Sequence, residues 1–273
     1  MARVVLPRRS AIVRGAVQGA SEGQVIAANV DYAILQSSCN NDFNPRRFER
    51  TLALLWESGA QPVLLLNKCD LVDAPEQLVA DAETVAPGVP VLALSPLHRQ
   101  GLDPLAPFLR PGRTAALLGS SGVGKSTLVT SFLGHDVLAV AMVRDGDDRG
   151  RHTTSHRQLL ELPGGALLID TPGIRAMALW DCEEGLSGAF PAIEALAGEC
   201  RFGDCTHDTE PGCAIAAALL DGRLSAERFQ SYEKLERELA YLARRQDKQA
   251  QREQKRQFRN VTKALRKRYR REE

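Results

Sequence analysis

The chain has 273 residues, 44% of them apolar and 25% charged, with a formal net charge of +1. That is enough apolar material for one ordinary α/β core and a smaller appended unit, so two folded units are expected. No apolar run approaches the roughly 18 residues of a membrane span, and the start MARVVLPRRS has charge but no apolar h-region, so no membrane partner and no secretory signal are expected.

Residues 1–20 are short, basic and valine-rich, with VVLPRRSAIVR readable as one strand and a connector. One strand cannot fold alone, so it must pair with something or be the remnant of another domain. The pattern QVIAANVDYAILQ, Gln24 to Gln36, predicts a buried strand. Asn44 to Ser58 predicts a helix, with Phe48, Leu52, Leu55 and Trp56 at helical spacing. Pro62 to Leu66 predicts a short buried strand, Ala74 to Val85 a helix and Val89 to Leu94 a strand that opens into SPLHRQGLDPL. From Arg113 a strand, a glycine-rich loop and a helix follow as far as about Leu133. The segment Ala141 to His156 is polar and without periodicity, which predicts a mobile loop. Gln158 to Leu162 and Ala166 to Ile169 predict two strands joined by a turn at Pro163 to Gly165. Short apolar strands alternating with helices imply a mainly parallel sheet, with ligand at the carboxyl ends of its strands.

The glycine-rich loop is GSSGVGKST, Gly119 to Thr127, a Walker A sequence with the strand before it and the helix after it that its mechanism requires. Its glycines let successive backbone N–H groups face phosphate oxygens at a helix N-terminus. Lys125 is placed for the β- and γ-phosphates, and the Ser126 hydroxyl for the Mg²⁺ that bridges them. NKCD, Asn67 to Asp70, closes a predicted strand. An ionised Asp accepts only, so Asp70 suits the N1–H and 2-amino donors of guanine, which adenine does not present. Asn67 would tie the loop, and the stem of Lys68 would cover the ring. With DTPG at Asp170 to Gly173, these boxes predict a site for GTP and its product GDP. The base side is Asn67, Lys68 and Asp70. The phosphate side is Gly119, Ser120, Ser121, Gly122, Val123, Gly124, Lys125, Ser126, Thr127 and Gly173.

The base-side box precedes the phosphate loop, the reverse of the order in ordinary GTPases. The same site forms if the domain is circularly permuted, because domain termini tend to lie close together. Within about thirty residues of Asp170 the chain reaches ECRFGDCTHDTEPGC. Cys200, Cys205, His207 and Cys213 are a sufficient set for a tetrahedral structural zinc with no open position. The other cysteines, Cys39, Cys69 and Cys182, are scattered and read as free thiols, which fits a cytoplasmic chain. Ala214 to Leu220 predicts a short helix, and Ser225 a cap for a long one whose Tyr232, Leu235, Leu239 and Leu242 would pack on the zinc module. From Tyr232 onward there are 15 Lys/Arg against 7 Asp/Glu, an excess of +8 that leaves −7 for residues 1–231. A basic tail beside an acidic body points to RNA as partner, through salt-sensitive phosphate pairing.

The permuted order, GRHTTSHR at Gly150 to Arg157, LLIDTPGIR at Leu167 to Arg175 and the zinc spacing closely resemble the small-subunit-dependent ribosomal GTPases of the RsgA/YjeQ family. The resemblance implies an α/β, circularly permuted P-loop GTPase domain with helices on both sheet faces and a small C-terminal zinc-binding helical domain. It divides the chain into a remnant of an N-terminal oligonucleotide-binding barrel over 1–20, the GTPase domain over 21–185 and the zinc-binding basic helical domain over 186–273. It also implies a monomeric late assembly factor that binds the small ribosomal subunit and its rRNA and hydrolyses GTP there.

Three departures stand out. Only something like the last strand of the barrel, Val4 to Arg14, is present. The box that usually reads Ser-Ala, whose Ser95 the resemblance adds to the base side, here reads Ser95-Pro96, and proline has no N–H to offer the guanine O6. Gly122 stands where potassium-dependent relatives carry Asn, so no potassium requirement is inferred. For hydrolysis, Lys125, Ser126 and one of Thr153 and Thr154 would meet the phosphates and Mg²⁺, with Asp170 acting through water. Ile174 stands where most GTPases place the Gln that orients the attacking water, so intrinsic hydrolysis is expected to be slow, with His152 the candidate for the missing group. The alternatives are a GTP-gated rRNA-binding module with incidental hydrolysis, and a general P-loop ATPase or kinase.

Overall fold

The computed structural model describes residues 7–15, 23–40, 42–133, 157–173, 177–208 and 210–269, with side chains as far as residue 245 and at 247 and 248. The strands in chain order are β1 (Ala11–Gly15), β2 (Gly23–Ala28), β3 (Tyr32–Ser38), β4 (Gln61–Asn67), β5 (Val91–Leu94), β6 (Thr114–Gly119), β7 (Gln158–Glu161) and β8 (Leu167–Asp170). The last six form one sheet in the order β5-β4-β3-β6-β8-β7. All its pairings are parallel except that of β7 with β8. Ser38 is level with Asn67, Asn67 with Leu94, Gln36 with Gly119 and Leu117 with Asp170. The sequence boxes Asn67, Gly119 and Asp170 therefore all end at the carboxyl edge of one sheet, where open α/β sheets bind ligands.

Both faces of this sheet are covered, which is why its central strands read as unbroken apolar runs. Side chains alternate between faces along each strand. Leu35, Leu64, Leu66, Ala116 and Leu118 enter one cluster, whereas Ile34, Val63, Leu65, Ala115 and Leu117 enter the other. Helix α1 (Pro45–Glu57) supplies Phe48, Leu52 and Leu55 to the first cluster, and α3 (Lys125–Leu133) supplies Leu128, Val129 and Leu133 to the second. Between them in sequence lies α2 (Pro75–Val85). Each fully buried Leu contributes roughly 1.5–3 kcal/mol relative to exposure. Asn44 caps α1, its side chain accepting from the Arg47 N–H.

Two expectations change. Gln24 to Gln36 is not one strand. Asn29 takes a left-handed φ of 56° and splits it into β2 and β3, a conformation that Asn tolerates better than most residues. The break is fixed by Arg9 N–H donating to Asn29 Oδ1 (2.9 Å) and Ser10 Oγ donating to Val30 O (2.7 Å). An apolar run on both sides concealed it. The N-terminal strand does find a partner: β1 and β2 pair antiparallel as a separate two-stranded sheet. Gly15 N–H also donates to Ala178 O (3.0 Å), which ties that sheet to the segment after Asp170.

Beyond the sheet lie α4 (Glu183–Ala189), α5 (Pro191–Gly198), α6 (Ala214–Leu220) and the long α7 (Ala226–Tyr269). Helix α4 lies so close to α1 that a Cβ on Gly185 would fall 1.9 Å from Ala53 O, and only glycine permits that approach. Cys213, Ile215, Leu235 and Leu239 share one buried cluster with α1.

Candidate functional site

Asn67 ends β4, and Lys68 follows with a left-handed φ of 60°, turning the chain into a short 3-10 segment, Cys69–Leu71, that carries Asp70. Asn67 is 2% exposed, and its Nδ2 donates to Val123 O at 2.8 Å. Its Oδ1 accepts from the Lys68 N–H at 2.6 Å, and Lys68 Nζ donates to Gly122 O at 2.8 Å. The NKCD loop thus grips the phosphate loop from one side. The contact is tight enough to require Gly124: its φ is 97°, and a Cβ there would fall 2.3 Å from Asn67 Nδ2. On the other side Gly173 packs against Ser121, where a Cβ would lie 2.7 Å from the Ser121 Cα. Thr171 Oγ1 donates to Leu117 O at 2.7 Å, anchoring the DTPG turn to β6.

Lys125 begins α3 and is buried, its Nζ donating to Gly119 O (3.0 Å) and Ser120 O (2.9 Å). Burial lowers its pKa, against the pull of the Asp170 and Asp42 carboxylates. Burial likewise raises the pKa of Asp170, against Lys125 and the Thr171 N–H. Asp170 Oδ1 is buried without a hydrogen-bond partner. A buried carboxylate oxygen left in that condition fits a site for a hydrated cation, and a buried ammonium held by the carbonyls of its own glycine-rich loop fits a site for phosphate. Ser126 and Thr127 lie exposed on the first turn of α3. Ser95 is fully buried and its N–H is committed to Gln100 O at 3.0 Å. His152, Thr153, Thr154, Ile174 and the predicted mobile loop lie outside the described residues.

Three site residues escaped the sequence reading. Gln36, a buried polar residue in an apolar strand, donates from Nε2 to Val123 O at 3.0 Å. Asp42 accepts from Ser37 Oγ at 3.0 Å, pairs with Arg47 at 2.7 Å and lies within electrostatic reach of Lys125. His98 places Nε2 3.7 Å from Asp70 Oδ2. Only Gln36 carried a signal, since a Gln level with the first Walker glycine has no reason to be apolar-flanked and buried unless it bonds the loop.

In the C-terminal part of the chain, the ligand atoms of Cys200, Cys205, His207 and Cys213 all lie within 4.8 Å of one another. His207 Nδ1 is 3.6 Å from both Cys200 Sγ and Cys213 Sγ, and those two sulfurs are 4.0 Å apart. Sulfur ligands at ~2.3 Å from a tetrahedral ion stand roughly 3.8 Å from each other, so the four groups fit one metal. The loop between them is shaped by Glu210, which accepts from the Thr206 and Asp208 N–H groups (3.0 and 3.1 Å). The Thr206 hydroxyl and these N–H groups push its pKa down to about 2. The Cys213 sulfur accepts from Ala216 N–H and caps α6. The His207 ring meets Phe229 of α7 edge-on at 6.3 Å.

A family model described as RsgA GTPase matches residues 5–180, the span that holds both the NKCD loop and the phosphate loop in this reversed order. The chain belongs to the RsgA GTPase family. A second model, described as a 50S ribosome-binding GTPase, matches residues 114–263 and so begins at the phosphate-loop strand. Similar curated proteins are named small ribosomal subunit biogenesis GTPase RsgA. That of Streptomyces avermitilis is 56% identical over 239 residues, covering 86% of this chain and 64% of that protein. That of Methanosarcina acetivorans is 48% identical over 257 residues, covering 94% of this chain and 70% of that protein. Among solved structures, YjeQ from Thermotoga maritima superposes with a TM-score of 0.63 at 26% identity, covering 87% of this chain and 78% of that one. YloQ, described as a circularly permuted GTPase, gives 0.56 at 25%, covering 90% and 83%. The RsgA resemblance and the permuted α/β fold stand. This RsgA-family chain spans about two thirds of the length of those curated relatives.

Proposed function

We propose that this chain binds GTP between Asp70 and Lys125 and hydrolyses it to GDP and phosphate when docked on the small ribosomal subunit, late in that subunit's assembly. The hydrogen bond from Asn67 Nδ2 to Val123 O carries the reading, because it couples the base loop to the phosphate loop despite their reversed order. Asp70 accepts from the guanine edge, Lys68 covers the ring, and the N–H groups of Gly119 to Thr127 take the phosphates. Ser126, together with Thr153 or Thr154, would hold Mg²⁺, and Asp170 would bind its water shell. The ion supplies charge neutralisation at the β- and γ-phosphate oxygens. Lys125 offsets charge at the same oxygens, so the residues act chiefly by positioning and electrostatics. With Ile174 following Gly173, the water-orienting group comes from elsewhere, and His152 is our assignment.

Cys200, Cys205, His207 and Cys213 hold a structural Zn²⁺ in this proposal, and the basic end of α7 contacts rRNA as a monomer. The relatives' shared name favours the small over the large subunit. Among the described residues no helix is long and apolar enough to cross a membrane, and a factor acting on ribosomal subunits would work in the cytoplasm. The division into 1–20, 21–185 and 186–273 remains our reading of the units. The test is single-turnover GTP hydrolysis by the purified chain with and without small subunits. A strong rise supports the enzyme, whereas equal slow rates would leave the GTP-gated rRNA-binding alternative.

A further inference from the structure

The loop Ser95 to Gln100 brings His98 beside Asp70, so if Asp70 reads guanine this loop borders the base, and Pro96 offers it no backbone donor. The loop is closed by a two-way bridge: Ser95 N–H donates to Gln100 O and Gln100 N–H to Ser95 O, each at 3.0 Å. Arg99 N–H turns inward to Pro96 O at 3.2 Å, with Arg99 in a left-handed φ of 55°. Ser95, Arg99 and Gln100 have thus spent their N–H groups on the loop itself, and Pro96 has none.

This tight loop stands His98 beside the base-recognition carboxylate, with Nε2 3.7 Å from Asp70 Oδ2. At that distance the two groups face each other without a hydrogen bond. The imidazole is 55% exposed and the Asp70 side chain 17%, so a ligand arriving from solvent can reach both groups. In guanine the 6-oxo oxygen is the neighbour of N1, whose hydrogen is the one a carboxylate takes. A donor within a few ångströms of that carboxylate, on the N1 side, can reach the 6-oxo oxygen.

We propose that His98 is a base-specificity residue whose Nε2–H donates to the 6-oxo oxygen of the guanine held on Asp70. The imidazole offers an N–H in its neutral as well as its protonated form. It also adds discrimination: adenine carries an amino group at position 6, which would bring donor against donor at this point. The inference rests on the guanine reading of the Asn67–Asp70 loop.

The test compares GDP, 6-thioguanosine diphosphate and inosine diphosphate by calorimetry on the full chain. The thio probe changes only the acceptor at position 6, and the inosine probe removes only the 2-amino group. His98→Ala is expected to weaken GDP binding about tenfold, the loss of one good hydrogen bond. It should also bring the GDP to 6-thio-GDP ratio to within about twofold of one while leaving the GDP to IDP ratio as in the wild type. His98→Gln, whose amide also donates, should restore most of the discrimination at position 6. A His98→Ala chain that still discriminates against the sulfur, or that binds GDP more tightly than wild type, overturns the proposal. A loss of folding would lower binding of all three ligands alike, and the Gln variant then decides. If the wild type does not prefer GDP to ADP, or Asp70→Ala leaves that preference intact, the guanine reading itself fails.

Discussion

Arg228 of the long helix α7 points its guanidinium at Glu49 of α1, Nη1 to Oε1 3.4 Å, across 179 positions of the chain. The same group donates to Val85 O (2.9 Å), Thr84 O (3.2 Å) and Ala189 O (3.1 Å), and it lies 5.1 Å over the Phe190 ring. One side chain thus ties α1, the end of α2 and the end of α4 to α7. Two of those acceptors are carbonyls at the carboxyl end of α2, where a cation is favoured. Replacing Arg228 by Ala strands the buried Glu49 carboxylate and the carbonyl of the buried Ala189 together, and we expect a loss of roughly 2–4 kcal/mol. Urea unfolding checks this, and Arg228→Lys should rescue little because a point charge cannot reproduce the planar fork.

Glu49 carries a pH signature. Burial raises its pKa by more than Ser231, Arg228 and Arg46 lower it. A carboxyl whose folded pKa lies above its unfolded value contributes stability that is full below the unfolded value and is lost as pH rises through the folded one. Glu49→Gln should therefore melt close to wild type in acid and progressively above it as the pH climbs toward neutrality. The check is the sign of the gap: absent in acid and in favour of the variant at neutral pH. A gap that narrows with rising pH contradicts this assignment.

Asn67→Ala removes the bond to Val123 and the support for the Lys68 N–H together. Nucleotide affinity should fall by about 10–100-fold, and fluorescent GDP titration reads it. Little change in melting temperature is expected, because the sheet on either side of Asn67 is intact.

Removing the metal should act at a distance from the nucleotide. Cys200 and Cys213 flank a loop whose ring contact, His207 on Phe229, leads directly into α7. We expect about one zinc per chain, lost in Cys213→Ser, with a fall of roughly 2–5 kcal/mol in stability. GDP affinity should change less than twofold. Elemental analysis and thermal melts test both halves.

His152→Ala should bind GTP as the wild type does but lose subunit-stimulated turnover. Full stimulation in the variant would remove His152 from the mechanism.

The architecture was largely legible in the residues because the parallel strands are buried on both faces, and continuous runs such as Pro62 to Leu66 have few other readings. The phosphate loop, the NKCD turn and the Cys/His cluster were legible because short spacings dictate their chemistry. What escaped depended on tertiary placement. Asn29 broke an apolar run through a left-handed backbone held by bonds from Arg9 and Ser10, twenty residues away. The α4 helix, EEGLSGA, has little periodicity and forms through close approach to α1. Gln36, Asp42 and His98 reach the site only because strand register and a tight loop deliver them.

The position of β6 between β3 and β8 has a consequence for the order in which the protein is made. The half-sheet β5-β4-β3 leaves the ribosome first, and the β3 border that will receive β6 stays unpaired until residue 114 and its successors follow. An apolar strand border of this kind recruits other chains. The nascent protein is thus most exposed to misassociation after the half-sheet β5-β4-β3 is complete and before β6 and β8 have emerged.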